Sequence, residues 1–398
     1  MGRTVRHGAI IAMALSLASA RQRAAVDTHG MVWADANANS ILDAGEKGIP
    51  GVAVSNGDTV VVTDAKGEYH IVGYGTGVVF ISVPDGWQMK QGFYHSITVN
   101  GTATLAFGLQ RSTRADDFLF VHTSDTHVAE ASLSRMQRMR ALVDSIKPAF
   151  TIITGDLVKD ALRVGEPEAT GYYEMFNAEA AKFTMPLWTV PGNHENFGIE
   201  RNLSKVPATN PLYGRAMYHK YRGPGYYSFN AGGIHFVGLN TVDIDDMYYY
   251  GHVDSLQLAW LARDLAVIPA NMPVVTFDHI PFFSTAESKN GYVDSPPAPT
   301  LITVKGKTAF RHTVSNARDV IARIKPHPYP LALGGHIHMR ELLRYEGLPT
   351  RFEQAAAVVS PANQFGEVVP SGVTVYRVRA GVIDEGRFVS LGLEGKRP

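Results

Sequence analysis

Five short apolar runs, each followed within a few residues by an Asp, His or Asn motif, constrain this chain more than any other feature. Residues 118–121 lead into Ser124-Asp125-Thr126-His127, and residues 150–153 into Gly155-Asp156. Residues 186–190 lead into Pro191-Gly192-Asn193-His194-Glu195, residues 274–277 into Asp278-His279, and residues 331–333 into Gly334-Gly335-His336-Ile337-His338. Runs of this length read as buried strands. Between them, residues 133–146 place Met136, Met139, Leu142 and Val143 on one face of a helix, and residues 256–265 behave likewise. Strand and helix in alternation predict an α/β architecture. Ligands in such folds gather at the carboxyl ends of strands, which is where all five motifs fall.

Taken together the motifs offer two Asp (Asp125, Asp156), one Asn (Asn193) and four His (His127, His279, His336, His338). This is an oxygen and nitrogen donor set suited to Mn, Fe or Zn rather than Cu(I) or Ca²⁺. The chain has no cysteine, so thiolate sites and cysteine nucleophiles are excluded. One carboxylate can bridge two metals ~3.5–4 Å apart, the arrangement used for in-line displacement at phosphorus. Glycines beside Asp156, Asn193 and His336 permit the tight turns that aim side chains back across strand ends. The 37 Lys plus Arg balance 37 Asp plus Glu, so there is no long-range attraction to polyanions and nucleic acid is not an expected partner. Positive charge for a small phosphorylated substrate must come mainly from bound metals.

The order D-x-H, GD, GNHE, H, GHxH is similar to that of the calcineurin-like metallophosphoesterase superfamily, from about residue 116 to residue 398. The resemblance implies a central β-sandwich flanked by helices, four layers in the order α/β/β/α. It implies that Asp125, His127, Asp156 and His338 hold one metal, and that Asp156, as the bridge, joins Asn193, His279 and His336 on the other. A hydroxide shared by the metals would attack phosphorus in line, its pKa lowered by the two cations. Catalysis falls to Asp156 and to His194, which is not a ligand but stabilises the equatorial oxygens or protonates the leaving group. Departures narrow the branch. Ser/Thr protein phosphatases carry GDxxDRG and LRGNHE, which this chain lacks, and purple acid phosphatases place a tyrosine where Lys159 stands. The layout, with the runs 213–218, 225–230 and 257–261, resembles bacterial exported calcineurin-like phosphoesterases that carry an N-terminal β-sandwich.

Residues 27–112 show short β-rich runs separated by turns such as Asn56-Gly57, Lys66-Gly67 and Asp85-Gly86, the pattern of an all-β sandwich. The run Thr63-Asp64-x-x-Gly67-x-Tyr69 resembles prealbumin-like and carboxypeptidase-regulatory-like domains. Within it, Asp35, Asn37, Asn39, Asp43 and Glu46 occupy positions 1, 3, 5, 9 and 12 of a Ca²⁺-type loop, with Ser40 where glycine is usual. Two readings stand, a Ca²⁺ site and a polar Asx-rich turn. At the N-terminus, Arg3 and Arg6 precede an apolar run from Ala9 to Leu17 and the A-x-A triplet Ala18-Ser19-Ala20. That order predicts a signal peptide over residues 1–20, a periplasmic or secreted mature protein, and no membrane span after its removal.

Outside the motifs, His235 is expected to be a satisfied strand residue, His122 a candidate neighbour of the ligands, and His312 and His327 solvated loop residues. Tyr248, Tyr249 and Tyr250, with Asp243, Asp245 and Asp246 before them, are candidates for the pocket mouth, and the loop 284–300 for a cap. The functional expectation is an exported dimetal phosphoesterase acting on phosphate mono- or diesters. The alternatives are a nuclease of the same superfamily, and a non-catalytic surface- or carbohydrate-binding protein. The oligomeric state is not readable from the sequence.

Overall fold

The computed structural model describes residues 26–73, 75–90, 92–97, 101–112, 116–286, 299–364 and 367–393. The expected signal peptide and most of the 284–300 loop lie outside these residues.

Two six-stranded sheets form the centre. In the first, Leu187–Thr189, Phe150–Ile153 and Asp117–Thr123 run parallel, and Gly372–Arg379 joins antiparallel beside Asp117–Thr123. In the second, Ile234–Gly238, Val274–Phe277, Leu331–Gly334 and Arg351–Gln354 run parallel, between the antiparallel strands Tyr227–Ala231 and Glu341–Arg344. Phe150–Ile153, Val274–Phe277 and Leu331–Gly334 are buried at every position. Continuous apolar runs of this kind belong to parallel strands covered on both faces.

Aromatic rings fill the space between the sheets. Phe120 and Phe150 from the first meet Phe236 from the second at centroid distances of 5.6 and 5.2 Å, and Phe150 meets Phe229 at 5.3 Å. On the outer face of the first sheet, Met136, Met139 and Val143 of helix Leu133–Ile146 and Tyr173 and Phe176 of helix Glu166–Ala180 pack with Val121, Ile153, Val373 and Val375. The first of these helices stops where Lys147 turns left-handed, φ 55°, its N–H donating to Val143 O. Helix Ser255–Leu265 covers the second sheet. There its Asp264 receives the ring N–H of buried His235 at 2.9 Å, while the other ring nitrogen meets Asn230 Oδ1 at 2.7 Å. Helix Ala317–Ile324 lies beside it. The layers therefore stack α/β/β/α, as expected, and His235 is satisfied within its strand.

The N-terminal region forms two four-stranded sheets. Glu68–Val72, Val26–Ala34, Gly101–Arg111 and Trp87–Gln88 make one, and Val60–Val62, Ala53–Ser55, Val78–Ile81 and Tyr94–Ser96 the other. Their inward residues, among them Val32, Val54, Tyr69, Ile81 and Phe107, belong to one apolar cluster that continues into the second catalytic sheet. Phe93 lies 4.6 Å from Tyr227, Phe80 6.1 Å from Trp260, and the Asn230 N–H donates to Val83 O at 2.8 Å.

Candidate metal centre and active site

The parallel strands of both sheets end at one place, and all five motifs meet there. Asp125, His127, Asp156 and His338 form one group whose ligand atoms lie within 4.8 Å of one another, and Asp156, His279 and His336 form a second. Asp156 belongs to both. Its Oδ2 lies 3.5 Å from His127 Nε2, and its Oδ1 lies 3.3 Å from His279 Nε2. His338 Nε2 lies 3.2 Å from Asp125 Oδ1, and Asn193 Oδ1 joins the second group 3.1 Å from His279 Nε2. All seven residues expected to ligate metal are thus brought to one cleft.

The turns that deliver them are strained. Asp125, His127, Asp156, His336 and His338 all have φ between 39° and 70°. L-residues rarely adopt this region, and non-glycine occupancy of it concentrates at functional sites. Close approach requires the glycines. A Cβ on Gly192 would fall 2.2 Å from Asp156 Oδ1, and one on Gly335 2.0 Å from Ser124 Oγ.

Glu195 locks the central turns together. Its buried carboxylate accepts N–H bonds from Asp156, Leu157, Val158 and Gly192 at 2.6–3.0 Å. Burial and the neighbouring Asp156 charge push its carboxyl up to about 8, against the pull of the Val158 and Gly192 N–H groups. In the sequence Glu195 is marked only as the last residue of the GNHE motif. Its position directly after His194 was the available signal.

Backbone carbonyls orient the imidazoles. Lys159 O accepts a ring N–H from His194 at 2.7 Å and from His127 at 3.4 Å, and Thr154 O accepts one from His279 at 2.7 Å. Each bond leaves the opposite nitrogen, Nε2, turned to the cleft. His194 stands beside the first group, its ring edge-on to His127 at 4.6 Å and its Nε2 3.9 Å from Asp156 Oδ2.

Both groups suit cations. His127 Nε2 and His338 Nε2 face each other at 3.2 Å, as do His279 Nε2 and His336 Nδ1. Each pair turns two ring nitrogens to one point beside carboxylate oxygens, a nitrogen and oxygen donor set that a divalent metal ion takes. Burial favours neutral carboxyls here, yet the imidazoles around Asp156, His279 foremost, hold it well below the usual range. Burial opposes charge on His279, but Asp156 carries it up to about 9. His127 falls to about 4 through burial and the charge of His194.

One expectation needs correction, and the other candidate residues take defined places. His312 is not solvated: its Nδ1 lies 2.7 Å from His336 Nε2, a contact across 24 residues that no local pattern announces. His327 is half-buried. His122 is buried against Thr154 Oγ1 at 3.0 Å, behind the carbonyl that holds His279. Of the three tyrosines, Tyr249 and Tyr250 are buried, and Tyr249 lies edge-on to His336 at 5.9 Å with the Arg311 guanidinium 4.2 Å over its ring. In the Asp35 loop, Asp35 accepts the Asn39 and Ser40 N–H groups, Asp43 the side-chain amides of Asn37 and Asn39, and Glu46 the Ala36 and Asp43 N–H groups. Among the described residues its acids do not converge on one point. The hydrogen bonds are those of an Asx-rich turn.

An α/β/β/α sandwich whose strand ends share one carboxylate between two ligand groups defines a class, the dinuclear metal hydrolases. Residues 118–340 match the Calcineurin-like phosphoesterase family, and residues 36–112 match the N terminal of Calcineurin-like phosphoesterase. The chain belongs to the calcineurin-like phosphoesterase family and is a metal-dependent phosphoric ester hydrolase. A 3',5'-cyclic-nucleotide phosphodiesterase of Nostoc sp. is 24% identical over 233 residues, 57% of this chain and 70% of that protein. Among solved structures, a dimetal phosphatase from Danio rerio aligns with TM-score 0.45 at 14% identity, covering 69% of this chain and 99% of that one. GAP50, the anchor in the inner membrane complex of Plasmodium, aligns with TM-score 0.41 at 13% identity, covering 70% and 86%. Among the described residues no helix is long and apolar enough to cross a membrane.

Proposed function

We propose that the chain is an exported dimetal phosphoesterase that hydrolyses small phosphate diesters, cyclic nucleotides among them. The observation that carries the reading is the Asp156 carboxylate, one oxygen turned to each ligand group, with His194 beside the first. Asp125, His127, Asp156 and His338 would hold one cation, and Asp156, Asn193, His279 and His336 the other. Held there, cations would neutralise phosphoryl charge and acidify a water. After the water has given up a proton to solvent, its oxygen would form a new P–O bond as the P–O bond to the leaving alkoxide breaks on the opposite side. His194, with its Nδ1–H held by Lys159 O, would act in its doubly protonated form and give the alkoxide its Nε2 proton. The activity of the Nostoc relative supports a diester, and the zero net charge supports a small substrate over a polynucleotide. Export rests on the N-terminal order of Arg3, Arg6, the apolar run and Ala18-Ser19-Ala20.

The test is metal analysis beside hydrolysis of 3',5'-cyclic AMP, bis(p-nitrophenyl) phosphate and p-nitrophenyl phosphate, for wild type and Asp156→Asn. Wild type should hold two ions and prefer the diesters, and Asp156→Asn should lose metal and activity together. Equal metal and activity in the two proteins sinks the site, and turnover of the monoester alone sinks the diester assignment. N-terminal sequencing of the protein recovered outside the cytoplasm should begin at Arg21, and a retained Met1 overturns export.

A further inference from the structure

His336 turns its two ring nitrogens to different neighbours. Nδ1 belongs to the group with Asp156 and His279, 3.2 Å from His279 Nε2. Nε2 lies 2.7 Å from Nδ1 of His312. Holding a cation needs the lone pair of Nδ1, so the His336 proton sits on Nε2 and is donated to His312 Nδ1. That places the His312 proton on its own Nε2. His127 and His279 are held differently, each by a backbone carbonyl that no substitution removes. The Tyr249 ring stands edge-on to both rings of the pair, 5.9 Å from His336 and 6.3 Å from His312, and screens the bond on that side.

The geometry points to His312 as a positioning residue that sets the occupancy of the second metal subsite, the one formed by Asp156, Asn193, His279 and His336, without itself contacting a metal. The inference rests on the dimetal reading. Partners behind a ligating imidazole fix its tautomer and ring orientation, and their loss typically weakens metal binding ~10–100-fold. An imidazole acceptor is neutral, so it orients His336 without adding negative charge behind it, as a carboxylate would. His312 thereby affects one subsite and leaves the other unchanged.

The experiment follows Mn²⁺ in the full-length loaded protein during stepwise EDTA withdrawal, by electron paramagnetic resonance and metal analysis. His312→Ala should lose its second ion at ~10–100-fold less EDTA, with the coupled dimanganese signal giving way early to a mononuclear one. The first ion should leave as it does from wild type. His312→Asn, whose Oδ1 sits where Nδ1 sat, should recover most of the second site, and the melting temperature of the metal-depleted proteins should agree. Wild-type retention of the second ion in His312→Ala overturns the inference, as does equal loss from both subsites or an Asn variant as weak as Ala. Wild type holding no Mn²⁺ overturns the dimetal reading and this inference with it, an outcome distinct from wild type holding two ions and His312→Ala doing the same.

Discussion

Single side chains do most at this centre by holding other groups in place. Glu195 accepts four buried N–H groups from the turns that carry Asp156 and Asn193. Each buried donor left without an acceptor costs about 1–3 kcal/mol. Glu195→Ala should therefore destabilise the protein by at least about 3 kcal/mol in urea unfolding and release metal, and a change under 1 kcal/mol would contradict the role. His194 touches no ligand group as a member, so His194→Ala should keep its metal while kcat falls by about 100- to 10,000-fold. Metal loss in that variant would move His194 into the ligand set. The ligands were legible because each motif sits within a few residues of an apolar run and carries chemistry that few residue types supply. His312 was not, because its partner lies 24 residues away and nothing local marks the pair.

At the level of elements, the hairpin Val242–Asp245 and Tyr248–Gly251 brings Tyr249 against His336, and one carboxylate ties the hairpin down. Asp243 receives Arg215 at 2.8 Å, the His252 ring N–H at 2.9 Å and the Tyr250 hydroxyl at 3.0 Å. Burial raises its carboxyl, but His252 and Arg215 outweigh that and bring it from 3.8 to about 2. A depressed folded pKa contributes stability above the unfolded value, and that stability fades as pH falls from about 4 toward 2. The shift corresponds to about 2 kcal/mol for this largely buried group. Asp243→Asn should be about 2 kcal/mol less stable than wild type near pH 6 in urea unfolding, with the gap narrowing as pH falls from 4. A gap that stays constant with pH would contradict this role for Asp243. The sequence marked residues 243–250 as a candidate rim, but which tyrosine turns inward depends on the hairpin's pairing, a contact between residues that composition does not encode.

On the scale of the molecule, the N-terminal sheets share their apolar core with the second catalytic sheet. Phe80 is fully buried against Trp260, and the Tyr226 hydroxyl donates to Gly57 O at 2.5 Å. Phe80→Ala should cost about 3–5 kcal/mol and lower one cooperative unfolding transition. Two separated transitions, with the catalytic one unmoved, would show the halves to be energetically independent. Composition and spacing marked a change of rhythm near residue 113, yet the shared core arises from faces that meet only after folding. By itself the sequence determined the α/β rhythm, the family and the seven side chains at the strand ends, because period and local motif are written along the chain. Tertiary structure decided which oxygen of Asp156 faces which group, that His312 stands behind His336, and that the two halves share one core. Those are distances between residues far apart in sequence, fixed by packing.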